Sequence, residues 1–243
     1  MNILILGGTR EARQLAGRLV ALGHDVTTSL AGRTQDPILP EGRLRMGPFG
    51  GVAGLSTYLR AAKIDRLIDA THPYAGQMSS NAVAAAAESG TKLIRFMRTP
   101  WTQKPGQHWT LVETAQQAAD TLPPGANVLL TTGHAGLETY LERDDCLFLV
   151  RVIEAPDFAL PPHAQLIQTR PPYPFESEVA LMRRHGVTHL VSKNSGGTQT
   201  AAKLDAAAEL GVNVIMIARP HYGPALEVDT IEAAVIALDI GAE

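Results

Sequence analysis

Short apolar runs alternate with stretches of helical periodicity along nearly the whole chain. Runs at 3–6, 25–30, 43–46, 66–70 and 92–97 form a first series, and runs at 127–131, 147–153, 165–169, 188–192 and 213–218 a second. Most are rich in Val, Ile and Leu with no polar face, the pattern of parallel strands buried on both sides. Between them lie helical stretches, among them the alanine-rich 76–88 and an alanine-rich helix within 188–211. This alternation predicts an α/β protein of two Rossmann-like, three-layer domains with parallel sheets and a ligand cleft between them. The series breaks at 98–110, RTPWTQKPGQHWT, which holds both tryptophans and no periodicity and reads as a linker. The expected domains are therefore 1–104 and 105–243, the first binding a dinucleotide and the second a substrate. A proline-rich stretch, APDFALPPHA, follows the run at 147–153 and reads as a loop over the site.

Composition narrows the chemistry. The chain has 243 residues, 45% of them hydrophobic, enough for two small cores. A net charge of −3 supplies no basic field for nucleic acid, so an anionic ligand must be held by local arginines and helix ends. One cysteine, Cys146, excludes an intrachain disulfide and a cysteine-rich metal site, and no metal is expected. It precedes the apolar stretch Leu147 to Val150 and reads as a small core residue. No leader pattern opens the chain and no run approaches a membrane span, so a cytoplasmic protein with no membrane partner is expected.

Three strings carry candidate chemistry, each at the carboxyl end of an expected strand, where open α/β sheets bind ligands. In the first, the strand at 3–6 stops at Gly7-Gly8, and Thr9 is placed to cap a helix whose apolar positions are Ala12, Leu15, Ala16 and Leu19. A turn without side chains lets the backbone approach a pyrophosphate, and the helix N-terminus favours its charge. Gly7, Gly8, Thr9, Arg10 and Glu11 are the candidate contacts. The next strand ends near Ser29 and Arg33 rather than an acid, which suits the 2′-phosphate of NADPH and not the free ribose of NADH. The G-x-G-x-x-G fingerprint is departed from twice, at Thr9 and Ala12, so a βαβ unit that merely packs stays open.

The second string is LIDATHPYA, 67–75. Thr71, His72 and Pro73 form a turn that could meet the cofactor, and His72 and Tyr74 are the candidates for proton transfer or for positioning a flat ring. A proline turn whose histidine satisfies backbone groups accounts for the same residues. The third is THLVSKNSGGTQTAAKLDAAAELG, 188–211, where Lys193, Asn194, Ser195, Gly196 and Gly197 make an anion nest ahead of an alanine-rich helix. It lacks the lysine after the last glycine that a Walker A loop requires. TTGHAG at 131–136 repeats the strand-to-helix arrangement with Thr132 and Gly133. Arg98, Arg151, Arg170 and Arg219 lie at or near other strand ends; together they would suit a polycarboxylate.

GGTREARQLA at 7–16, DATHPYA at 69–75, RTPW at 98–101 and VSKNSGGTQTAAKLDAAAELGVNVIMIARP at 191–220 resemble, in order, the precorrin-6A and cobalt-precorrin-6A reductase family. The resemblance implies a two-domain reductase in cobalamin biosynthesis that uses NADPH to reduce one double bond of a tetrapyrrole-derived macrocycle. That corrinoid precursor bears acetate and propionate groups, for which Thr132, Gly133, Arg151, Lys193, Asn194, Ser195, Gly196, Gly197 and Arg219 are the candidate contacts. It also implies handover to neighbouring pathway enzymes. The chain departs from the pattern at Tyr173, where a glycine is expected before Pro174-Phe175. Two other classes fit the opening unit. A short-chain dehydrogenase would need Tyr-x-x-x-Lys, which none of the five tyrosines supplies. An NADP-sensing module would have no use for the basic, glycine-rich second half.

Overall fold

In a computed structural model, residues 1–32 and 38–240 are described. The chain divides into two compact units, Met1–Thr99 with Pro220–Glu243, and Pro100–Arg219. The first unit contains β1 (Asn2–Leu6), α1 (Arg10–Ala21), β2 (Asp25–Leu30), β3 (Arg43–Met46), α2 (Gly51–Ala61), β4 (Arg66–Asp69), α3 (Gly76–Ser89) and β5 (Lys92–Phe96). The second contains β6 (Trp109–Val112), α4 (Ala115–Thr121), β7 (Asn127–Leu130), α5 (Leu137–Leu141), β8 (Leu147–Val152), β9 (Ala164–Gln168), α6 (Phe175–Arg184), β10 (His189–Lys193), α7 (Ala202–Glu209) and β11 (Asn213–Ile217). β12 (Leu226–Val228) and α8 (Ile231–Ala237) then return to the first unit.

Each unit is built on a six-stranded sheet, ordered β12-β5-β4-β1-β2-β3 in the first and β6-β11-β10-β7-β8-β9 in the second. Every pairing is parallel. Alternation along β1 creates the layers: Ile3 and Ile5 pack with Ala12, Leu15 and Leu19 of α1 and Ala234 and Ala237 of α8. Leu4 and Leu6 face the other way, onto Leu55 and Leu59 of α2 and Ala82 and Ala85 of α3. Central strands buried on both faces cannot alternate polar and apolar residues, which is why they read as continuous apolar runs. In the second unit, Leu129, Leu190, Val214 and Met216 pack beneath Val179 and Met182 of α6 and Leu204 and Ala206 of α7.

Two sequence expectations need correction. The second domain does not run to the C-terminus: β12 pairs with β5, and α8 packs in the same core as α1. Arg95 and Glu227 lie side by side in that pairing and form an ion pair at 2.9 Å. The stretch at 98–110 is not all linker either, since Trp109 and Thr110 open β6, the edge strand beside β11. Both missed strands are short edges, three and four residues long, and edge strands carry only weak apolar patterning.

Candidate functional site

The glycine turn after β1 is fixed by its neighbours. The Gly7 amide donates to the Ser29 carbonyl at 2.9 Å. A Cβ on Gly7 would lie 2.7 Å from Thr28 Cγ2, and Gly8 sits at φ +109°, a conformation that favours glycine. Thr9 Oγ1 accepts from the Ala12 amide at 3.0 Å, capping α1, and donates to the Ala70 carbonyl at 2.9 Å. One hydroxyl thus ties the start of α1 to the end of β4. The amides of Gly8, Thr9 and Arg10 make no hydrogen bond within the described residues and remain for a ligand or water. Arg10 is exposed. Glu11 is paired with Arg98 at 3.4 Å, which offsets a carboxylate where an anion is expected.

Ser29 is buried at the end of β2, and its Oγ accepts from Arg45 Nη1 at 3.3 Å. Arg33 lies outside the described residues. Arg45, which the sequence does not single out, stands opposite Ser29 in the β2–β3 register.

The second turn hangs from a buried carboxylate. Asp69 Oδ1 accepts from the Thr71 hydroxyl at 2.7 Å and the Thr71 amide at 3.2 Å. Arg95 faces it from β5, Nε to Oδ2 at 3.7 Å, and both side chains are 2% exposed. Arg95 Nη1 also donates to the Gly223 carbonyl at 3.1 Å, and its guanidinium lies 5.2 Å from the Tyr222 ring centroid. The Tyr222 hydroxyl donates to the Pro73 carbonyl at 2.7 Å. The Thr71–Tyr74 turn is therefore held from below by Asp69 and from the side by the returning C-terminal segment. His72 Nδ1 accepts the Tyr74 amide at 3.2 Å, which puts the proton of the neutral ring on Nε2. The His72 ring is exposed, with its centroid 5.8 Å from that of Tyr74.

In the second unit, Lys193 at the end of β10 donates to the Thr132 carbonyl at 2.5 Å, which brings the two carboxyl-end loops together. Burial pushes its ammonium below the usual lysine range. Gly133, Gly196 and Gly197 all sit at positive φ, +71°, +67° and +77°. The amides of Gly196, Gly197 and Thr198 make no hydrogen bond among the described residues, and the Ser195 amide turns back onto the Lys193 carbonyl at 2.7 Å. Arg219 Nε donates to the Asn194 carbonyl at 2.7 Å.

Two residues expected to meet substrate have other work. The Asn194 side chain accepts the Trp101 amide at 2.8 Å and donates to the Trp101 carbonyl at 2.9 Å, so it mimics a strand partner where the chain enters this unit. Arg151 is inside β8, 6% exposed, ion-paired to Glu178 of α6 and stacked at 4.0 Å under Tyr173. A strand-end arginine reads as ligand-facing in sequence, but alternation turns this one toward α6. Beside it Lys203 of α7, 4% exposed, lies 4.7 Å from the Trp101 ring centroid. Nothing in its alanine-rich surroundings marked it in the sequence.

Residues 2–239 match the family described as precorrin-6x reductase CbiJ/CobK. The chain belongs to that family. It is thereby an oxidoreductase acting on a CH–CH group, a reductase of cobalamin biosynthesis. Precorrin-6A reductase of Rhodococcus erythropolis is 46% identical over 96% of both chains, and that of Rhodobacter capsulatus 42% identical over 90% of this chain and 88% of its own. Cobalt-precorrin-6A reductase of Priestia megaterium is 30% identical over 97% of both. A solved structure of CobK precorrin-6A reductase superposes with a TM-score of 0.94 at 41% identity, covering 100% of this chain and 98% of that one. The strings GGTRE, DATHPYA and VSKNSGG stand here in sheet-end turns of the kind that nucleotide-binding α/β proteins use.

Proposed function

We propose that the chain reduces precorrin-6A with NADPH, the first unit holding the dinucleotide and the second the macrocycle carboxylates. The observation that carries the reading is the Thr9 hydroxyl. By joining the glycine turn to Ala70 it sets the free amides of that turn next to the Thr71–Tyr74 turn. The glycine turn fits the cofactor: Gly8 has open space where a side chain would stand, and three amides await an acceptor. When bound, the nicotinamide supplies a hydride to one double bond of the macrocycle. The protein's own part is placement, since hydride transfer depends on the distance and alignment of donor and acceptor carbons. His72, with its proton on Nε2, and the Tyr74 hydroxyl are the groups suited to position the ring or pass on the proton that completes the reduction. The substrate carboxylates fall to Lys193, Arg219, the amides of Gly196 and Gly197, and the Thr132-Gly133 turn; Asn194 and Arg151 are not among the contacts.

The substrate is proposed to be cobalt-free. Relatives named precorrin-6A reductase are 38–46% identical, whereas those named for the cobalt form are 27–30% identical. The test mixes protein, NADPH and either precorrin-6A or its cobalt complex and follows loss of the nicotinamide absorbance. Oxidation with the metal-free macrocycle is expected. Tight dinucleotide binding with no oxidation by either macrocycle would favour an NADP-sensing module instead.

A further inference from the structure

Arg45 lies outside the strings that the sequence singles out. It stands opposite Ser29 in the β2–β3 register, at the carboxyl ends of adjacent strands. The Gly7 amide is bonded to Ser29 itself, so Ser29 is one strand spacing and Arg45 two, about 10 Å, from the strand that feeds the glycine turn. The guanidinium is stacked 3.7 Å above the Phe49 ring and 5.5 Å from that of Tyr58. Nη1 donates to Ser29 Oγ at 3.3 Å and to the Gly47 carbonyl at 2.6 Å, and Nη2 donates to the Pro48 carbonyl at 2.9 Å.

Those three bonds fix the plane of the group and use three of its five N–H donors. The Nε–H and the second Nη2–H, the edge that makes a bidentate fork, have no partner among the described residues. All three acceptors are neutral, and no carboxylate of the described residues lies within ion-pair distance. The side chain is only half-buried, so the fork is within reach of solvent. An arginine held flat on an aromatic ring, oriented by backbone carbonyls and left with its charge uncompensated has little freedom left to lose on binding an oxyanion.

We infer that Arg45 and Ser29 form a phosphate-monoester subsite that takes the 2′-phosphate of the dinucleotide. Arg45 supplies the fork and Ser29, accepting from Nη1, turns its own O–H to the same anion. The inference rests on the dinucleotide reading above and adds what selects the phosphorylated form, a role the sequence alone placed on Ser29 and Arg33.

Calorimetric titration of the full chain tests it with four probes: NADPH, NADH, adenosine 2′,5′-bisphosphate and adenosine 5′-monophosphate. In the wild type NADPH should bind better than NADH, and the bisphosphate better than the monophosphate, by roughly ten- to hundredfold. Arg45→Ala should collapse both preferences to within about threefold while leaving NADH and monophosphate affinity unchanged, which also shows that the variant is folded. Arg45→Lys, which keeps the charge without the fork, should lose most of the preference as well. Preferences retained in Arg45→Ala but lost in Arg33→Ala would overturn the assignment and leave the dinucleotide reading standing. Wild-type protein that binds NADPH and NADH equally would overturn the subsite and leave dinucleotide binding standing, whereas wild-type protein that binds neither would overturn both.

Discussion

Lys203 offers the most quantitative check on the second unit. Burial is the main cause that pushes its ammonium down from 10.5 to about 7, with the neighbouring Arg151 charge adding and Glu178 opposing. In the unfolded chain the same group titrates near the ordinary value of about 10.4. The sign follows from proton numbers. Below pH 7 the lysine is charged in both states and the full cost of burying it is felt. Between about 7 and 10.5 the unfolded chain holds a proton that the native protein lacks, so stability rises with pH; above 10.5 the dependence ends. At about 1.4 kcal/mol per pH unit, the whole gap amounts to about 5 kcal/mol. Lys203→Met removes the titration and keeps the volume. Both tryptophans, Trp101 and Trp109, belong to the second unit, so their fluorescence during urea unfolding follows that unit. From pH 7 to pH 9, the unfolding free energy of wild type should rise relative to Lys203→Met by about 2 kcal/mol. The Met variant should be the more stable at pH 7. A difference between the two proteins that stays constant over this range would refute the reasoning, because it would mean that Lys203 keeps its ordinary affinity for the proton.

Further outcomes follow from single contacts. Gly7→Ala puts a methyl group 2.7 Å from the side chain of the fully buried Thr28, and should lower stability by about 1–3 kcal/mol in thermal unfolding and weaken dinucleotide binding in titrations. Arg151→Ala strands Glu178, 2% exposed, without its partner and should cost about 3–5 kcal/mol in urea unfolding, whereas replacing the pair together with Met and Leu should recover most of it. Asn194→Ala leaves the Trp101 amide and carbonyl without their partner and should cost about 1–3 kcal/mol while NADPH affinity in the first unit stays within twofold of wild type.

The alternation of apolar runs was enough to read both sheets, because parallel strands buried on two faces leave an unmistakable continuous pattern. Eight inner strands were legible this way, and the edge strands β3 and β9 were read from shorter apolar runs. The two that were not, Trp109–Val112 and Leu226–Val228, lie at sheet edges where half the surface is solvated. The return of β12 to the first sheet depends on pairing between residues some 130 apart in sequence, such as Arg95 with Glu227, and no local pattern encodes that. At the site, the glycine turn and the Thr9 cap were readable because both follow from backbone needs at one point in the chain. The partners of Arg151 and Asn194 were not, since a polar residue near a strand end has the same sequence signature whether it faces a ligand or a neighbouring helix. Arg45 escaped notice because its significance arises only when Ser29 and Phe49 are brought beside it.

The central claim is hydride transfer from a nicotinamide to the macrocycle, and isotope tracing addresses it directly. A single turnover is run in ordinary water with NADPH carrying deuterium at both C4 positions, and the reduced macrocycle is weighed by mass spectrometry. The account predicts one deuterium in the product, with the second added hydrogen coming from solvent. A reduced product without deuterium, or labelled only when the reaction is run in deuterium oxide, would contradict it.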